Sequence, residues 1–127
     1  MHPTNYEPFV IISACTKNQF WRSAMLETLN LKKKIQDLGY IFKVVYGKFE
    51  GKTETSLYVP YITHAHAQEL AKEFGQKSWL SVNKNREAEL VHVDGIAPEY
   101  LGWFIKGESE DNYTIDEGIK YICTGVK

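Results

Sequence analysis

Phe9-Val10-Ile11-Ile12-Ser13-Ala14-Cys15 is an apolar run without alternation, the pattern of a strand covered on both faces. Beyond it Trp21, Ala24, Met25, Thr28, Leu31, Ile35 and Leu38 recur at steps of three and four. They form one stripe of an amphipathic helix of about five turns. Thr16 or Asn18 can cap its start, and Gly39 sits where a left-handed C-terminal cap belongs. Residues 40–49 are rich in aromatic and β-branched side chains and read as a second strand, with Gly47 and Gly51 bracketing its end. Residues 54–61 alternate: Leu57 and Val59 share one face, Ser56 and Tyr58 the opposite one, and Pro60 closes the strand. Thr63 caps a second helix with Ala67, Leu70, Ala71 and Phe74 on its buried face, and Gly75 ends it. Residues 78–82 and 88–93 make a hairpin around 83–87. Residues 100–105 form another strand, 108–112 a polar loop, and 113–115 with 119–124 a last hairpin across Asp116-Glu117-Gly118.

The order is β-α-β-β-α-β followed by extra strands. The expected fold is therefore α+β: a ferredoxin-like antiparallel sheet with both helices on one face, plus C-terminal strands, in a single domain over residues 1–127. The second face of such a sheet needs a cover. Oligomerisation supplies one, and by analogy a PII-like homotrimer places clefts between subunits.

The 127 residues are 43% hydrophobic, 13% aromatic and 24% charged. That composition excludes a disordered, collagenous or coiled-coil chain. Fifteen Lys and Arg against sixteen Asp and Glu give a net charge of −1. A free-standing nucleic-acid binder is usually basic and a DNA mimic strongly acidic, so the expected partner is a small molecule or a protein. The N-terminus lacks a cationic region, and its longest apolar stretch is too short to be a signal peptide or to span a membrane. Cys15 and Cys123 are far apart, without metal-ligand spacing, and read as reduced thiols of a cytosolic protein.

Phosphate-binding glycine loops, nucleophile elbows and zinc-helix motifs are all missing from the sequence. His64 and His66, two apart at a helix start, point in different directions and make a poor metal pair. Cys15, close to a helix N-terminus but without an evident histidine partner, reads as a buried inert thiol. The aromatic residues are numerous for one small domain. Most belong to the core, yet an aromatic-rich chain with carboxylates also suits a flat purine bearing a cationic group. Glu69 points away from the buried face of the second helix. It is either a solvated glutamate or, where subunits meet, a carboxylate in a cleft; Glu54 and Glu89 carry the same two readings.

The chain resembles the S-adenosylmethionine-degrading enzymes of short-tailed bacteriophages, S-adenosylmethionine lyases formerly called hydrolases. The resemblance rests on Phe9-x-Ile11-Ile12-Ser13-Ala14, residues 26–31, Gln76-Lys77-Ser78-Trp79-Leu80, Ala88-Glu89-Leu90-Val91 with Gly95-Ile96, Gly102-Trp103-Phe104, and Thr114-Ile115-Asp116-Glu117. It implies cleavage of S-adenosylmethionine to 5′-methylthioadenosine and L-homoserine lactone, with no cofactor or metal, in a trimer with substrate at subunit interfaces. It also implies anti-restriction through depletion of the methyl donor in the cytoplasm of an infected bacterium, with no nucleic-acid or membrane partner. The site residues it suggests are Glu69 and Tyr58 as catalytic groups, and Ser13, Ala14 and Gln76 as substrate-binding groups. Each has a plainer reading as well: a surface glutamate, an exposed strand tyrosine, a loop-stapling amide. The competing function is a non-catalytic sensor on a PII-like scaffold that binds an adenine nucleotide or S-adenosylmethionine. A phage protein that blocks a restriction enzyme by contact is a further alternative.

Overall fold

The structure is a computed structural model and describes residues 7–14, 21–49 and 51–125. Its elements are β1 (Phe9–Ile12), α1 (Trp21–Asp37), β2 (Lys43–Phe49), β3 (Lys52–Pro60) and α2 (His64–Glu73), followed by β4 (Ser78–Val82), β5 (Glu87–His92), β6 (Glu99–Lys106), β7 (Tyr113–Asp116) and β8 (Ile119–Cys123). Cys15 and the caps at Thr16 or Asn18 lie outside the described residues, as does the side chain of Trp21. Thr63 caps α2 as expected: its hydroxyl accepts from the His66 amide at 3.2 Å.

The strands do not form an open ferredoxin-like sheet. They close into an eight-stranded antiparallel barrel in the order β1-β3-β2-β7-β8-β6-β5-β4, with β4 returning to β1. β4, β1, β3 and β2 are neighbours in that order, which is as far as the β-α-β-β-α-β reading carries. The four strands treated as extras extend both ends of this row: β5 pairs with β4, β7 with β2, and β6 with β8 completes the ring. An exposed strand edge offers unpaired amides and carbonyls, and closure satisfies both edges within one chain. It also covers the second sheet face. The physical reason for a PII-like trimer therefore falls away.

Closure gives each strand an outer and an inner side. Outward, Val10, Ile12, Leu57, Val59 and Trp79 pack against Leu31 and Ile35 of α1 and Ala67, Leu70 and Ala71 of α2. Inward, Phe9, Val45, Tyr58, Val82, Ala88, Leu101 and Phe104 fill the lumen, with Ile11, Leu80, Leu90, Tyr121 and Cys123 packed against them. This two-sided burial accounts for the unalternating run in β1. It also places Tyr58, readable from sequence as an exposed strand residue, in the interior at 9% exposure.

The α1 stripe is only partly covered. Leu31 and Ile35 are fully buried, whereas Met25 is 55% exposed and Leu38 42%. The middle of the helix lies on the barrel, and its flanking apolar residues face solvent. Two local devices shape the C-terminal half. Glu117 and Gly118 both have positive φ, 52° and 80°, the mirror-image turn that suits a two-residue hairpin. In β6 both Leu101 and Phe104 face inward. The register to β5 shifts there, and Gly102 takes φ +78°, so one extra residue is absorbed as a bulge. Among the described residues, no helix is long and apolar enough to cross a membrane.

Candidate active site

Four aromatic rings plug the middle of the lumen. Phe9 stacks on Tyr58 with centroids 4.1 Å apart, meets Phe104 edge-on at 5.3 Å, and Phe104 stacks on Tyr121 at 5.2 Å. On one side of this plug lies a cavity of about 140 Å³, open to solvent at its outer end. Ser13, Glu54, Ser56 and Gln76 line it together with the rings of Phe104 and Tyr121. Strand alternation puts them there. Ser13 follows Ile11 on the inner side of β1, and Glu54, Ser56 and Tyr58 follow one another on the inner side of β3. Gln76 arrives by another route: Gly75 leaves α2 at φ 68°, and the Gln76 amide closes the helix end on the Ala71 carbonyl at 2.8 Å.

Ser13 Oγ donates to the Thr55 carbonyl at 3.1 Å, which holds the side chain in place at the cavity. Gln76 Nε2 makes a long contact of 3.5 Å to the Phe74 carbonyl. Glu54 is half-buried, and burial raises its carboxyl above the usual carboxylate range, only partly offset by Lys52. Cys123, at the same end, is pushed up to about 11 by burial. It is an unreactive thiol at neutral pH.

On the other side of the plug the Tyr58 hydroxyl donates to Glu7 Oε2 at 2.6 Å. Lys43 lies 4.5 Å from the Tyr58 ring centre and pairs with Asp116 at 2.8 Å. Burial, then the hydrogen bond and charge of Glu7, raise the phenol well above its ordinary value. Tyr58 is thus a neutral hydrogen-bonding group and not a base.

The structure therefore brings Ser13 and Gln76 together at one cavity. Tyr58 shares the inner face of β3 with Ser56 but turns its hydroxyl toward the opposite end. Ala14 faces the helices, is buried with them, and is not among the residues that line the cavity. Glu69 is exposed on α2, away from Ala67, Leu70 and Ala71, and does not line the cavity. His64 and His66 have separate partners, Ser81 Oγ at 3.0 Å and Tyr40 Oη at 2.7 Å. Sequence reasoning passed over Ser56 as a site residue and left Glu54 ambiguous. The available signal was their two-residue spacing from Tyr58, which gains meaning only once the inner face encloses a lumen.

A closed barrel with a half-open, aromatic-floored lumen and a few convergent polar groups has the architecture of a small-molecule site. No curated protein compared with the chain matches it. The model of the S-Adenosylmethionine lyase family matches residues 10–124, so the chain belongs to that family and is an S-adenosylmethionine lyase enzyme.

Proposed function

We propose that the enzyme converts S-adenosylmethionine to 5′-methylthioadenosine and L-homoserine lactone. A carboxylate oxygen of the substrate attacks its own Cγ. The Cγ–S bond breaks, its electron pair stays on sulfur, and the sulfonium leaves as a neutral thioether while the five-membered lactone closes. Atoms and charge balance without water, oxidant or base. The protein's task is to fold the tail so that oxygen and carbon stand in line, which is worth up to ~7–11 kcal/mol in well-oriented intramolecular reactions. Carboxylate and sulfonium neutralise each other in the transition state, so an apolar wall favours it, and tight pairing of either charge would oppose it.

The observation that supports this reading is the family match together with the lumen cavity, where Ser13 and Gln76 meet an aromatic floor. In this reading Ser13 and Gln76 bind substrate at the mouth and Ala14 contributes its backbone. Glu69 stands one turn before the end of α2, about 6 Å along the axis at 1.5 Å per residue, and takes the ribose hydroxyls by charge-assisted hydrogen bonds. Tyr58 acts from behind the aromatic floor: its ring stacks on Phe9, which meets Phe104, and its neutral phenol stays on Glu7 at the opposite end. For a cell the outcome is loss of its methyl donor, which fits a bacteriophage protein acting against restriction.

Purified protein incubated with S-adenosylmethionine, without added metal, should release methylthioadenosine and homoserine lactone. In water enriched in heavy oxygen, lactone sampled early should carry no label. Label entering homoserine at the rate of substrate loss would mean hydrolysis, and substrate recovered intact would end the reading.

A further inference from the structure

Glu54 and Ser56 stand two residues apart on the inner side of β3, and both line the lumen cavity. Ser56 is only 6% exposed. Among the described residues, neither the Ser56 hydroxyl nor the Glu54 carboxylate has a hydrogen-bond or ion-pair partner. Lys48 lines the same cavity, but no ion pair joins it to Glu54, and Lys52 acts on it only through space. The Ser56 oxygen is reachable from the cavity, since among the described residues the sealed side-chain oxygen without a partner is Asp116 Oδ1, and polar groups facing a narrow, aromatic-floored space favour a ligand that pairs them. A carboxylate left unpaired beside an acceptor hydroxyl, over an aromatic floor, has the chemistry of a site for a cation that donates hydrogen bonds.

We infer that Glu54 and Ser56 form the subsite for the substrate's α-ammonium group, which anchors the amino-acid tail inside the lumen. The inference rests on the reading of the reaction given above. Two arguments choose the ammonium over the sulfonium. The ammonium keeps its charge throughout the reaction, so pairing it holds the tail without raising the barrier. A carboxylate against the sulfonium would stabilise the charge that must disappear. Size agrees as well. A cavity of roughly 150 Å³ accepts a molecule of about six heavy atoms. The aminobutyrate tail has about seven, so the lumen takes the tail and leaves the adenosyl group at the mouth.

Three ligands separate the contributions. S-adenosylmethionine carries ammonium and sulfonium, S-adenosylhomocysteine the ammonium alone, and 5′-methylthioadenosine neither. Calorimetric titration of the intact protein with the last two, and kinetics with the first, should be run on wild type, Glu54→Gln and Ser56→Ala. Glu54→Gln should weaken S-adenosylhomocysteine about ten- to a hundredfold, the range of a lost charge-assisted bond, and leave methylthioadenosine unchanged. Its kcat/KM should fall mainly through KM. Ser56→Ala, a small deletion that spares the fold, should weaken S-adenosylhomocysteine severalfold with the same selectivity. Equal affinity of wild type and Glu54→Gln for S-adenosylhomocysteine, or an equal loss for methylthioadenosine, overturns the subsite. If wild type binds S-adenosylhomocysteine through Glu54 yet returns S-adenosylmethionine uncleaved, the reaction is wrong and the subsite stands. If wild type binds neither nucleoside, both fall.

Discussion

Replacing Ser56 with valine sets stability against function in one variant. Ser56 is 6% exposed and faces a cavity of about 140 Å³. Valine is one heavy atom larger, so the lumen has room for it, and a β-branched residue suits a strand. The change removes a hydroxyl that faces the cavity and turns two apolar carbons toward the aromatic floor. At about 0.8 kcal/mol per buried carbon, the gain is about 1.5 kcal/mol for full burial, and about 1 kcal/mol where the cavity stays open at its mouth. For a domain of this size that raises Tm by about 3–5 °C. The same two methyl groups occupy the space assigned to the substrate's tail, so cleavage of S-adenosylmethionine should drop at least about tenfold. Differential scanning calorimetry and a chromatographic product assay on one preparation read both effects. A variant that melts lower than wild type would mean that the lumen is already packed at Ser56. A variant that melts higher but cleaves at the wild-type rate would place the substrate elsewhere.

Three further outcomes are expected. Gly102→Ala should cost about 1–3 kcal/mol in denaturant unfolding: the residue has φ +78°, and an added Cβ would stand 2.7 Å from the backbone nitrogen of Gly125; unchanged stability would mean that the bulge is not needed. Burial raises the folded-state Glu54 carboxyl above its ordinary value, so the stability linked to its protonation is complete below the unfolded-state value and is lost as pH rises through the folded one. Glu54→Gln should therefore gain on wild type as pH climbs out of the acid range, and parallel pH–stability curves would refute this. Tyr58→Phe and Glu69→Gln should each slow turnover in a product assay, and wild-type rates in both would remove those residues from the site.

Every strand and both helices were legible in the sequence because their signals are local. Thr63 and Gly75 bracket α2, Pro60 ends β3, and Glu117-Gly118 fits a two-residue turn. Barrel closure was not legible. It depends on β2 meeting β7 and on β6 meeting β8, pairings between distant segments with no local mark. The same gap hid the candidate site. Ser56 and Tyr58 read correctly as one face of a strand, but whether that face meets solvent, a partner or a lumen is decided by strands some sixty residues further along. Ser13 and Gln76, at the ends of elements, could be chosen from resemblance and then found together. Glu69 could be placed on its helix face, but no packing signal ties it to the cavity.

The pairing of β2 with β7 bears on how the protein is made. The ring cannot shut until the last hairpin has left the ribosome, and joining segments so far apart is slow. Until then the nascent chain presents two bare sheet margins and an uncovered row of aromatic side chains, surfaces that invite sticking to other chains. A message truncated before residue 113 would yield a permanently open and adhesive intermediate, so the hairpin of β7 and β8 acts as the latch of the barrel.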